Sequence, residues 1–223
     1  MNTGWDRMRL CAWLLLLPGG ATSAGPAWVD EVAAVVNRQV ITRSEVLEEA
    51  VLIQVEGQAA VAADPSPSPE TLSQVLDLLI NHRVILDEAA ALGLPPVLAE
   101  EREQLLEGLR RRFPTLPDYR RFLSRHALSE EIVAEVLVRH LRVDRIREAK
   151  LRTLPEITQV DVERYYRQNR PRFGNSPLAH VAEAIRLRLM TQQHEEALAR
   201  WTYELRRRSE VKILVDFSAG SGE

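Results

Sequence analysis

The sequence predicts a mainly α-helical protein with one small antiparallel sheet, and three observations carry that expectation. Val32–Val36 and Gln39–Thr42 read as two short β-runs joined at Asn37-Arg38, where asparagine suits the positive φ of a tight hairpin. Most of the following chain places apolar residues at helical spacing. Near the end, Val211, Ile213, Val215 and Phe217 alternate with other residues as a strand does. A lone strand is unstable, so the closing one should pair with the opening hairpin and bring the two ends of the chain together.

Thr42 and Glu45 form a T-x-x-E capping box that opens the first helix, with Val46, Leu47, Ala50 and Val51 apolar. That helix fades near Gly57. Ala63–Pro69, ADPSPSP, reads as a linker that holds no helix. Glu70–Leu92 is a long helical pattern, carrying Leu72, Leu76 and Leu79 with Val75, Leu86 and Ala89 beside them. Gly93 serves as its cap and Pro95-Pro96 prevents continuation.

Val97–Phe113 predicts a helix that is acidic at its start and basic at Arg110-Arg111-Arg112. This polarity complements the helix dipole, so the arginines read as a stabilised terminus and not as a binding patch. Leu116–His126 is a short helix with Tyr119, Phe122 and Leu123, and Ser129 starts the next, which runs to about Lys150. Thr158 caps a helix over Asp161–Asn169 bearing Tyr165 and Tyr166, and Pro171 ends it. From Pro177 a long helix to Arg208 carries Met190, His194, Ala197, Trp201 and Leu205 on one face. Ile185–Leu189 alternates with arginine, but its neighbours favour helix there.

Residues 1–24 read as an export signal. Arg7 and Arg9 precede the apolar run Leu10–Leu17, and Thr22-Ser23-Ala24 offers a cleavage site, with Ala27 the second choice. The apolar run is too short to span a bilayer, which takes about 20 residues. An uncleaved anchor is the alternative. Export and no stable membrane insertion after cleavage follow from the first reading. The single cysteine, Cys11, lies inside the signal, so the mature chain has no thiol for a disulfide, a metal or nucleophilic catalysis. The chain is 45% hydrophobic and only 5% aromatic, which makes for an aliphatic core. A net charge of −3 gives no global reason to expect nucleic acid. Its 27 arginines against two lysines read as genome composition. Residues 28–155 form the main module, 156–217 continue the same structural unit, and 218–223 read as a disordered tail.

No catalytic constellation is present. The chain has no G-x-S-x-G, no H-E-x-x-H, no phosphate loop and no dinucleotide fingerprint. His82, His126, His140, His180 and His194 are isolated in sequence, with no metal-ligand spacing, and read as core-edge or surface residues. No cofactor and no metal are expected. Two groups, Tyr119, Phe122 and Leu123, and Tyr165, Tyr166 and Phe173, read first as ordinary core packing. Their functional reading is an apolar groove for extended peptide, since burial of apolar area is indifferent to sequence.

VAAVVNRQVITRSEV resembles the strand-turn-strand-helix start of SurA-type periplasmic chaperones, and LDLLINHRVILDEAAALGLP resembles the helix that follows it in that family. Phe122–Leu151 resembles the helices completing the N-terminal chaperone module, and LPEITQVDVERYYRQNRPRF the segment leading into the family's isomerase domain. The resemblance spans Val29–Phe173. It implies a helical SurA N-terminal-like module that binds unfolded polypeptides without ATP, outer-membrane protein precursors among them. The family commonly continues into a parvulin-type prolyl isomerase domain; here IRLRL, Trp201–Arg206 and VKILVDF resemble the closing tail instead, and His180-Val181-Ala182 only weakly echoes the isomerase opening. The expectation is a module without isomerase activity. Two alternatives stay open: a minimal prolyl isomerase, and a secreted helical scaffold for one dedicated partner.

Overall fold

A computed structural model describes residues 30–57, 67–92 and 95–217. The export signal, most of the proline-serine linker, the Gly93 cap and the tail lie outside the described residues. The elements run β1 (Val32–Val36), β2 (Gln39–Thr42), α1 (Arg43–Gly57), α2 (Pro69–Leu92), α3 (Ala99–Arg110), α4 (Leu116–Arg125), α5 (Glu130–Leu151), α6 (Gln159–Gln168), a 3-10 turn (Arg170–Phe173), α7 (Leu178–Arg208) and β3 (Val211–Ile213).

The sheet has the order β2-β1-β3 and is antiparallel throughout, so the expected meeting of the opening hairpin and the closing strand is observed. Val36 faces Gln39 in the hairpin, while Ala34, Val35 and Val36 face Ile213, Lys212 and Val211. Asn37 takes the left-handed φ of 55°, and Arg38 does not share it. The closing strand is shorter than its alternation suggests. Leu214 and Val215 N–H both donate to the Ala33 carbonyl, and the chain leaves the ladder there to place Phe217 in the core.

Local chemistry accounts for the helix starts. The Ser68 hydroxyl accepts from Thr71 N–H, which places Pro69, expected in the linker, at the first helical position, where its missing N–H costs nothing. Thr115 and Ser129 cap α4 and α5 through the N–H groups of Asp118 and Ile132. At α6 the box is complete: Asp161 N–H donates to Thr158 Oγ1, and Thr158 N–H to the Asp161 carboxylate at 3.0 Å. Helix α6 therefore starts two residues earlier than Asp161. Helix α3 is shorter than its pattern at both ends. The Glu101 carboxylate accepts from Leu98 N–H at 2.9 Å and fixes the start, and the chain tightens into turns after Arg110.

At the end of α4, Leu128 N–H reaches back to the Leu123 carbonyl while Ala127 adopts φ 52°. This is the Schellman geometry, with alanine in the place glycine usually takes.

Two apolar clusters fill the interior. The first lies under the sheet and gathers Ala34, Val36, Ile41, Val46, Leu79, Ile80, Ile85, Val143, Ile146, Trp201, Leu205 and Phe217. The second joins Leu52 and Val55 of α1 to α3, α4 and the first half of α5, through Leu106, Leu109, Tyr119, Leu123, Val133 and Leu137. Helices α1 and α5 contribute to both. Helix α7 joins the first cluster through Trp201 and Leu205, whereas its first half buries only Ile185, and α6 buries only Val162. Of the face expected on α7, Met190 is exposed and only Trp201 and Leu205 are buried. Among the described residues no helix is long and apolar enough to cross a membrane.

Candidate functional site

Among the described residues, two clefts on the helical body are larger than a third at the edge of the closing strand against α2. One, of about 480 Å³, lies between α1 and the α4–α5 turn, with Leu47, Val51, Ala127 and Leu128 as apolar lining and Glu48, Arg125 and His126 at its margin. Burial and the neighbouring Glu45 charge push the Glu48 carboxyl above its usual range. The other, of about 530 Å³, lies where the α5–α6 connection meets α7 and is lined by Leu151, Leu154, Pro155, Ile157, Met190 and His194 among others.

The six residues singled out in the sequence fall into two groups. Tyr119 and Leu123 are buried in the second cluster at 1% and 8% exposure, and Phe122 packs partly buried against it. Phe122 stacks at 4.9 Å on His126, which lines the first cleft, and at 5.1 Å on Phe113. Tyr165, Tyr166 and Phe173 are half-buried on α6 and the 3-10 turn; Phe173 lies 5.3 Å from Tyr166 and 6.4 Å from Tyr165. Tyr166 donates its hydroxyl to the Ser176 carbonyl, and the Arg170 guanidinium lies 5.0 Å above its ring. Ring contacts run within each group and not between them among the described residues.

The tertiary structure also assembles a buried polar junction that no sequence spacing announces. Glu45 and Glu49 stand one turn apart on α1, His82 and Arg83 lie on α2, and Arg139 and His140 on α5. Arg83 grips both Glu45 oxygens at 2.7 and 2.9 Å. Arg139 bridges Glu45 Oε1 and Glu49 Oε2, each at 2.7 Å. His140 Nε2 lies 2.6 Å from Glu49 Oε1, and the His82 ring meets the His140 ring edge-on at 5.6 Å. Glu45 therefore turns to these arginines, and only the Thr42 half of the expected capping box forms, with Glu45 N–H donating to Thr42 Oγ1.

Glu49 has no solvent exposure. Burial pushes its carboxyl up, but the His140 hydrogen bond and the charges of His140 and Arg139 bring it below the ordinary value. Burial lowers His82 to about 4, with Glu49 opposing and His140, Arg147 and Arg139 adding to the fall. His82 Nδ1 is buried and finds no hydrogen-bond partner. The only signal in the sequence was the pairing of charged residues with apolar helix faces, which is common on ordinary helices.

The arginine triplet behaves as expected of a helix terminus. Arg110 pairs with Glu103 and, across to α5, with Glu130, and Arg111 pairs with Glu107. At the acidic start of α3, Glu101 pairs with Arg145 and Arg102 with Glu131, tying α3 to α5.

The chain is similar to a protein named Chaperone SurA from Cupriavidus metallidurans, at 29% identity over 138 residues, covering 61% of this chain and 28% of that protein. A second Chaperone SurA, from Cupriavidus pinatubonensis, is 29% identical over 139 residues, or 27% of its length. The match thus spans a little over a quarter of the length of these relatives. No protein-family model matches the chain. Among solved structures, a chain from a study of two structurally related SurA-like chaperones of Campylobacter jejuni superposes with a TM-score of 0.51 at 12% identity. That superposition covers 83% of this chain and 99% of the other. The sequence likeness and the shared fold agree with the resemblance read from the opening hairpin and the helices after it: the chain is similar to SurA chaperones in sequence over part of their length and to a SurA-like chaperone in fold.

Proposed function

We propose that this protein is a periplasmic chaperone that holds unfolded polypeptides without ATP and without prolyl isomerase activity, with outer-membrane proteins in transit among its clients. The likeness to the SurA chaperones carries the reading. The export signal in the sequence and the two clefts support it. In this reading an extended client lays apolar side chains against Leu47, Val51 and Leu128 in one cleft, with Phe122 and His126 at its edge. It lies against Leu154, Ile157 and Met190 in the other, and Tyr165, Tyr166 and Phe173 offer a separate aromatic face on α6 and the 3-10 turn after it. Tyr119 and Leu123 share the second apolar cluster with Val51 and Leu128 of the first cleft. Such contacts are non-directional and tolerate many sequences. Affinity for any one segment is modest, because an extended chain loses conformational freedom on binding.

The test is suppression of aggregation by the mature chain, using a urea-denatured outer-membrane β-barrel and two unrelated denatured soluble proteins. Dose-dependent protection of all three supports a holding chaperone. Protection of none, with one stoichiometric partner recovered from periplasmic extract, replaces it with a dedicated scaffold. Turnover of a proline-containing peptide that one histidine substitution abolishes overturns the statement on isomerase activity.

A further inference from the structure

We propose that Glu49, His82 and His140 form a binding site for a divalent transition-metal ion of the zinc class, at the junction of α1, α2 and α5. Each residue offers one ligating atom, and these three atoms all lie within 4.8 Å of one another. Two imidazoles and one carboxylate suit zinc, cobalt, nickel or copper, whereas calcium and magnesium prefer all-oxygen shells.

The second observation is His82 itself. It is 4% exposed, and its buried Nδ1 has no hydrogen-bond partner. A buried polar atom left so destabilises the fold, and coordination is one way to satisfy it. The carboxylate is held for the role from its far side: Arg139 fixes Glu49 Oε2 and leaves Oε1 directed at His140. Outer partners of this kind orient metal ligands in known sites.

Coordination exchanges one bond for three. The Glu49–His140 hydrogen bond is lost, the His140 ring proton moves to Nδ1, and Nε2 takes the metal. Ligands about 2.1 Å from a tetrahedral ion stand roughly 3.4 Å apart, so Glu49 Oε1 and His140 Nε2 must open from 2.6 Å while His82 adjusts to meet them. Arg83 and Arg139 already balance Glu45 and Glu49, so the ion adds charge to a neutral junction. Affinity is therefore lower than for a bare His₂Glu site. With ligands from three helices, bound metal would brace the contact between the two apolar clusters. This inference is independent of the chaperone reading.

Cobalt(II) reports the site directly. The metal-free mature chain, titrated with Co²⁺, is expected to develop visible d–d absorption saturating at one ion per chain and displaced by Zn²⁺. Thermal unfolding with Zn²⁺ should shift upward. H82L keeps the site's volume apolar and should fold, while losing at least tenfold in Co²⁺ affinity together with the Zn²⁺ shift; H180A on α7 should leave both unchanged. If H82L does not fold, H140Q decides by the same measurements. No stoichiometric Co²⁺ spectrum at millimolar ion, or an undiminished one in H82L or H140Q, overturns the proposal.

Discussion

Asn37 and Glu210 exchange two hydrogen bonds: Asn37 N–H donates to the Glu210 carbonyl at 2.7 Å, and Glu210 N–H donates to Asn37 Oδ1 at 3.0 Å. The hairpin turn is thereby clamped to the start of β3, and Asn37 Nδ2 adds a bond to Asp87 on α2. Asparagine does two jobs here, adopting φ 55° and supplying the clamp. Asn37→Gly keeps the turn and the backbone half of the clamp and loses the two side-chain bonds; Asn37→Ala loses the same side-chain bonds and strains the turn as well. Urea unfolding should rank wild type above N37G and N37G above N37A, with the alanine variant down by about 2 kcal/mol. Equal stability of the two variants would show that the turn conformation carries no strain.

Ala127 holds a left-handed φ without being glycine. That conformation costs an L-residue roughly 1–2 kcal/mol, part of which glycine returns as unfolded-state entropy. A127G should therefore raise stability by about 0.5–1 kcal/mol. A fall in the urea midpoint would mean that the methyl group packs productively in the turn.

Arg139 neutralises Glu49 at full burial and Glu45 beside it. Removing one partner of a buried pair leaves a charge without compensation, at a cost of about 3 kcal/mol. R139M should lose on that order in chemical denaturation. Arg102 pairs with Glu131 in the open, so R102M should change stability by less than about 1 kcal/mol. Similar losses for both variants would contradict the burial argument.

Three helix-start carboxylates, Glu101, Asp118 and Asp161, lie below their ordinary values because they accept hydrogen bonds, chiefly from Leu98 N–H, the Thr115 hydroxyl and the Thr158 hydroxyl respectively. Each folded value lies below the unfolded one, so the contribution is full above 4.5 for glutamate and 3.8 for aspartate. It is lost as pH falls from there through the lower folded value. Urea midpoints should hold steady across neutral and mildly acidic pH and drop below that window. T158A should weaken the drop at α6 and cost about 1 kcal/mol at neutral pH.

The burial difference among the aromatic groups separates folding from binding. L123A should cost about 2–4 kcal/mol, as expected for an emptied core site. Y166A and F173A, half-buried on α6 and the turn after it, should leave the thermal midpoint nearly unchanged and weaken aggregation suppression. Full protection by both variants would remove that face from the client-binding surface.

Much of the fold follows from local rules that act over a few residues. Hairpin strands, the asparagine turn, the serine and threonine caps and the long α7 helix each rest on neighbours in sequence, and these are where expectation and structure agree most closely. Helix ends were legible less well: α3 starts where the Glu101 carboxylate takes the Leu98 N–H and ends where the chain tightens into turns after Arg110, and β3 stops where Phe217 is drawn into the core.

By itself the sequence determined the architecture: hydrophobic period and capping chemistry specify helices and strands, and a single terminal strand demands a partner. Only the tertiary structure decided which polar side chains meet. Glu49, His82 and His140 come from three helices whose rotation and crossing depend on the packing of all the apolar residues between them. The same packing, which no spacing encodes, put Tyr119 inside and left Tyr166 at the surface.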